Sequence, residues 1–354
     1  MTEATIDSRI EGASRSRAEP TIRAVRPGDE PGVIDLLRTV HGSWPNVEAG
    51  SPSIDPVSFF RWKHERSPFG KSLVVVAEQD AELVGLRAFM PWVLSAAGRT
   101  LRALRPVDAA TRPDLQRAGI FGRIRRELEA IFPEPADLHF GVPNDKSFGA
   151  VTKIGEGEAV GALCTSRLVR PATTILAALG SNSDGPLAVD APPVGQVLDG
   201  QPEIAELVDE AQAAEERLAT AKDLVYLRWR YGDAPLDYRA VCDSRRGKLR
   251  AIGIFRACVH RGVWEAVIEE LIVRPGEPRA TARVLREIAR SAAFGLLRCR
   301  FANGGAQRSA ALRLGFVSQR TGHPLLVGSI RPGITPSPDR LDSWALSLGD
   351  VDLL

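Results

Sequence analysis

The stretch "TRPDLQRAGIFGRI", Thr111 to Ile124, decides the fold. It opens on a proline turn at Arg112-Pro113, crosses a loop bearing Gln116, Arg117 and Gly119, and runs into an amphipathic helix, "IFGRIRRELEAIF". A loop that brings consecutive N–H groups and a helix N-terminus onto one point is a ready-made anion site. Just upstream, "TLRALRPVDAAT" reads as a strand. Just downstream, "ADLHFGVPN" reads as a second strand stopped at Pro143-Asn144, and "DKSFGAVTKIG" as a helix closing near Gly155.

Further out, "TIRAVRPGDEPGVIDLLRTV" gives a short strand, a turn at Pro27-Gly28-Asp29 and a helix with Val33, Leu36, Leu37 and Val40 at helical spacing. "LVVVAEQDAELVGLRAFM" has the form of a β-hairpin. The segment then repeats. "FFRWKHERSPFG" from Phe59 returns as "YLRWRYGDAPLDY" from Tyr226, setting Trp62 over Trp229, Arg61 over Arg228 and Pro68 over Pro235 at one offset. Each copy leads into a hairpin, then a strand ending near x-R-P, "ATRP" and "IVRP", and finally a helix with a Gly, "VTKIGEG" and "ALRLGFV". Two copies of one α/β unit suit 354 residues. The expected division is a disordered lead-in at 1–20, a first domain at 21–170, a Pro/Gly/Ala/Ser-rich linker or surface excursion at 171–200, and a second domain at 201–354.

Composition narrows the classes. An apolar fraction of 44% with 25% charged residues is that of a soluble globular protein. A formal net charge of +2 argues against a nucleic-acid partner. The excess of Arg over Lys reads as the genome composition of a GC-rich bacterium. Cys164, Cys242, Cys258 and Cys299 lack C-x-x-C spacing, so neither a metal site nor a disulfide framework is expected, and reduced thiols suit the cytoplasm. No apolar run approaches the roughly 18 residues of a membrane span, and no signal peptide is legible.

The loop and its flanks resemble the GNAT acetyltransferase family, whose fourth strand ends in a Gln/Arg-x-x-Gly-x-Gly/Ala loop that cradles the pyrophosphate of acetyl-CoA. Gln116 and Gly119 fall at the two diagnostic places, and Asn144, Ser147, Lys153 and Gly155 fit the family's next signature. Phe121 stands where a small residue is usual, with Gly122 beside it. The resemblance covers about residues 21–160. It implies an α/β (α+β) fold of two tandem GNAT-like domains, each a mixed, largely antiparallel sheet flanked by helices. It further implies acetyl-CoA, or another acyl-CoA, held by Ala109, Ala110, Thr111, Gln116, Arg117, Ala118, Gly119, Ile120, Phe121, Gly122 and Asn144. In the second copy Pro278 and Thr281 replace the Gln and Gly. Proline removes a donor and a β-branched residue resists close approach, so a single acyl-CoA site is expected, with the C-terminal half shaping the acceptor pocket.

Acyl transfer needs a neutral amine, a polarised thioester and a proton for the leaving thiolate. The family's usual acid, a tyrosine seven residues after the Asn, is replaced by Val151. Asp108 is the nearest carboxylate for a general base, or a strand-end residue satisfied by backbone. Ser147 is a proton donor or a helix cap. Asn144 completes the candidate catalytic set. Glu269 and Glu270 lie on the equivalent strand of the second copy, and one of them should face its cleft. His139 is a titratable group or a structural one, Trp62 and Trp229 are expected in the core, and Arg61 and Arg228 on its flanks.

The expected activity is acyl-CoA-dependent N-acyl transfer to a small amine. "YLRWRY" and the tail "WALSLGDVDLL" resemble tandem GNAT proteins that accompany polysaccharide-biosynthesis genes, which implies an amino sugar. Two rivals are an aminoacyl-tRNA-dependent transferase of the peptidoglycan-bridge type and a non-catalytic acyl-CoA-binding scaffold. A homodimer is left open.

Overall fold

The computed structural model describes residues 19–133, 136–171, 173, 187–301 and 305–351. Residues 1–18 of the lead-in, and 172 and 174–186 of the 171–200 excursion, fall outside the described residues.

Four tight hairpins build most of the sheet. They join β2 (Leu73–Gln79) to β3 (Glu82–Ala96), β3 to β4 (Arg99–Thr111), β8 (Tyr238–Arg245) to β9 (Lys248–His260), and β9 to β10 (Val263–Val273). Every one turns on two residues of positive φ: Asp80-Ala81, Ala97-Gly98, Arg246-Gly247 and Arg261-Gly262. Two left-handed residues in sequence match the twist of the flanking strands, and Gly fills the second place in three of the four turns at no steric cost.

The remaining strands are β1 (Thr21–Ala24), β5 (Leu138–Gly141), β6 (Glu158–Val169), β7 (Ala219–Thr220), β11 (Leu296–Cys299) and β12 (Val317–Ser329). They form one sheet in the order β1-β2-β3-β4-β5-β12-β6-β11-β10-β9-β8, with β7 pairing onto β3. The centre of that order is an exchange. β12 leaves its own half to pair with β5, while β6 pairs with β11. The sheet is therefore continuous through residue 170, where the sequence reading put a domain edge.

Helix α3 (Ile120–Ile131) lays Ile124 and Leu128, one turn apart, on Val75, Ala77 and Phe89. It comes so close that a Cβ on Gly85 of β3 would lie 2.7 Å from Ile120. The helix Pro278–Arg290 repeats this on β9, where a Cβ on Gly253 would lie 2.5 Å from Val284. On the opposite flank are α1 (Glu30–His41) and α2 (Pro56–Glu65) in the first half, with Glu203–Ala213 and a short helical segment at Leu224–Gly232 in the second. Trp62 and Trp229 stack at 5.6 Å between the halves, buried as expected, while Arg61 and Arg228 are exposed. Further on, Asp145–Lys153 forms α4.

Candidate functional site

β4 and β5 are parallel neighbours only at Ala103–Leu138 and Leu104–His139. Beyond that point they part, and from Val107 to Thr111 this edge of β4 pairs with no strand among the described residues. Within this free stretch the β3–β4 register slips: Arg87 faces Ala109 and Ala88 faces Val107, so Asp108 is the extra residue of a bulge, at φ +34°.

The loop follows directly. Pro113–Leu115 makes one 3-10 turn, Arg117 takes a positive φ, and Gly119 caps α3 in the left-handed conformation. No side chain caps that helix start. The N–H groups of Ile120, Phe121 and Gly122 belong to a first turn, where no intrahelical acceptor exists. The carbonyl of Gly119 already takes the N–H of Arg123. Gln116, Arg117, Ala118 and Gly119 are exposed, and the Gln116 amide donates to the Thr111 carbonyl. Phe121 has its ring 4.0 Å from the Arg87 guanidinium. That guanidinium is buried against Glu156. Ala110 is buried and Thr111 half-buried.

Asn144, rather than Ser147, caps α4. Its side-chain oxygen accepts the Ser147 N–H at 3.0 Å and the Ser147 hydroxyl at 3.0 Å. Val151, at the place of the family's tyrosine, is buried. His139 is buried as well, and that burial, reinforced by Arg125 and Arg87, pushes its imidazole down to about 4.

The side chain of Asp108 is surrounded by donors. Lys63 Nζ lies at 2.7 Å, His64 Nε2 at 3.0 Å and Trp44 Nε1 at 3.1 Å. Burial alone would raise this carboxyl, yet Lys63 and His64 hold it well below the usual carboxylate range. His64 is itself pushed down by burial and so is neutral near pH 7. In that state its Nε2 donates to Asp108 while Nδ1 accepts from the Ser72 hydroxyl at 3.0 Å.

The sequence reading did not single out Lys63, His64, Trp44 or His41. His41, the last residue of α1, places Nε2 3.1 Å from the Ala109 carbonyl. These partners stand 44 to 68 residues from the β4 end, and no local pattern links positions so far apart.

The second half has the same bulge but different contents. Glu269 is the extra residue between β9 and β10. Its backbone carbonyl accepts the N–H of Gly349 in the C-terminal tail, and the Leu271 carbonyl accepts from Gln307. The free edge of β10 is thus taken up by the chain itself. Of the two acids, Glu270 faces the cleft beside this edge, among Lys222 and Ser347, and burial raises its carboxyl. The cleft measures about 560 Å³. Pro278 opens the helix below it and Thr281 is fully buried, so the loop that meets the cleft lacks the exposed N–H array of Gln116–Gly122.

Among the described residues no group of His, Cys, Asp and Glu side chains is arranged to hold a metal ion, and no helix is long and apolar enough to cross a membrane.

No curated protein matches the sequence. The acetyltransferase (GNAT) domain family matches residues 21–149. Three solved structures share the fold over most of the chain. An Enterococcus faecalis protein described as a probable N-acyltransferase superposes with a TM-score of 0.59 at 13% identity, covering 88% of this chain and 73% of its own. A GCN5-related N-acetyltransferase of Anabaena variabilis gives 0.60 at 11%, covering 87% and 72%. The N-myristoyltransferase of Saccharomyces cerevisiae, solved with bound myristoyl-CoA, gives 0.55 at 11%, covering 93% and 84%. The chain has a GNAT-like fold, and its residues 21–149 match the GNAT acetyltransferase domain family.

Proposed function

We propose that the protein is an acyl-CoA-dependent N-acyltransferase with acetyl-CoA as donor, built from two GNAT-like units of which only the first holds acyl-CoA. Its acceptor is a small amine, with amino sugars the leading class. The observation that carries this reading is the uncapped start of α3 at left-handed Gly119, set beside a β4 edge that no strand covers. The α3 start suits phosphate oxygens, because exposed N–H groups and the positive end of the helix dipole act together. The β4 edge suits the thioester arm, because N–H groups at Ala109 and Thr111 can polarise a carbonyl without a side chain.

In this reading Asp108 holds the bulge in shape, since its oxygens are already taken by Lys63, His64 and Trp44. Ser147 helps Asn144 start α4. The second half, with its β10 edge filled by Gly349 and Gln307, supplies support and cleft walls.

Calorimetric titration of acetyl-CoA tests the reading. One site of micromolar affinity, lost in Gly119→Arg, is the expected result, followed by turnover in a panel of amino sugars and primary amines. An isotherm without heat for the wild-type protein refutes it.

A further inference from the structure

We infer that His41 is the general base of this site. The inference rests on the acyl-transfer reading above and supplies a group that the reading lacks.

The geometry fixes the tautomer. A carbonyl oxygen only accepts, so the contact between His41 Nε2 and Ala109 O requires the proton on Nε2. In the neutral ring the lone pair then sits on Nδ1, which has no partner among the described residues. His41 is exposed, so that nitrogen is open to solvent and to an incoming molecule.

The position is held from both sides. Three residues on, Trp44 is buried and donates its indole N–H to Asp108, the neighbour of Ala109. Gly42 ends α1 at φ +83°, returning its N–H to the Arg38 carbonyl. The imidazole is therefore tied to the bulge directly and through the chain that follows it. The Ala109 carbonyl faces the free edge of β4, and in a strand the N–H of a residue points to the same side as its carbonyl. The base and the backbone donor for a thioester thus meet at one residue.

Other titratable groups near the bulge are excluded by their bonds. Asp108 carries three donors. His64 has both ring nitrogens engaged and is buried. His139 is buried and pushed down to about 4.

In the step this permits, the amine nitrogen attacks the thioester carbonyl carbon and the C–N bond forms. His41 Nδ1 takes one N–H proton. As the C–S bond breaks, the electron pair stays on sulfur, and the proton on Nδ1 passes to the thiolate. The ring returns to its starting tautomer, with Nε2 still bonded to Ala109, and the products are an amide and free CoA thiol.

The test compares the wild-type protein, His41→Gln and His41→Gly, using acetyl-CoA and the best amine of the panel. The Gln amide still donates to the Ala109 carbonyl but accepts no proton. We expect kcat to fall about 100-fold or more in both variants, the range usual for loss of a general base. Acetyl-CoA affinity by calorimetry should stay within about 3-fold of wild type, and added imidazole should restore part of kcat in His41→Gly only. Wild-type turnover by His41→Gln overturns the inference while leaving the acyl-transfer reading intact. A loss that imidazole does not restore in His41→Gly assigns His41 to shape alone and also overturns it. Absence of acetyl-CoA binding or of turnover in the wild-type protein removes the acyl-transfer reading, and the inference with it.

Discussion

Trp62 and Trp229 donate their indole N–H groups to each other's backbone carbonyls, at 2.7 Å in one direction and 3.0 Å in the other. Two residues 167 positions apart make the same bond to one another, as equivalent residues do across a two-fold axis. The rings stack at an interplanar angle of 23°, with Trp92 edge-on to Trp229 and Tyr226 edge-on to Trp92. The halves are joined here by a buried reciprocal pair and again at the centre of the sheet by the crossing of β6 and β12.

Trp62→Phe keeps an aromatic ring but leaves the Trp229 carbonyl bare, and Trp229→Phe does the reverse. Each substitution should cost about 1–3 kcal/mol, the range for a buried acceptor left unsatisfied. Urea unfolding should give similar losses for both and one transition for the whole chain. A variant as stable as the wild type would contradict the reciprocal arrangement.

Gly85 and Gly253 are each pressed by a helix, so Ala at either position should destabilise by about 1–3 kcal/mol through overpacking. Without that pressure, Gly→Ala within a strand stabilises slightly. The sign of the change in urea midpoint therefore decides the matter, and an increase at either site refutes the close approach.

Asp108→Asn leaves the Lys63 ammonium buried without its counter-charge. A loss of about 3–5 kcal/mol is expected. Pairing Asp108→Leu with Lys63→Met should cost much less than the sum of the two single changes, because no lone charge remains. A double-mutant cycle measures this, and strict additivity would show that the pair is not coupled.

His139 gives a pH dependence of definite sign. Its imidazole is lowered to about 4 in the folded chain, against about 6.5 when unfolded. Between those values the unfolded chain binds a proton that the folded chain refuses, so stability falls as pH drops through the window, by up to about 3 kcal/mol. Above about 6.5 both states are neutral and this contribution is flat. His64 is lowered too and acts in the same direction. His139→Phe should remove part of the slope, read as the difference in unfolding free energy between pH 7 and about pH 4.5. An unchanged slope would show that His139 is not buried.

The sequence by itself determined the local elements. Apolar runs around polar turns drew two of the hairpins, apolar residues at helical spacing set α1 and α3, and the offset between the two Trp segments raised the expectation of a repeat. It also located the loop at Gln116–Gly119, because a proline turn and a Gly before an amphipathic helix are local signals. Only the tertiary structure decided which strand crosses to which half, for alternation in β6 and β12 tells which face is buried and not which neighbour pairs with the edge. The same holds for the bulge. Asp108 reads in sequence as the nearest carboxylate for a general base or as a strand-end residue satisfied by backbone, whereas in the fold the side chains of Trp44, Lys63 and His64 converge on it from another part of the chain. His41, one residue past the helical run read in the sequence, becomes a partner of Ala109 only when α1 packs against β4. Local spacing fixes backbone geometry, whereas the partner of a polar side chain is chosen by packing between segments far apart in the chain.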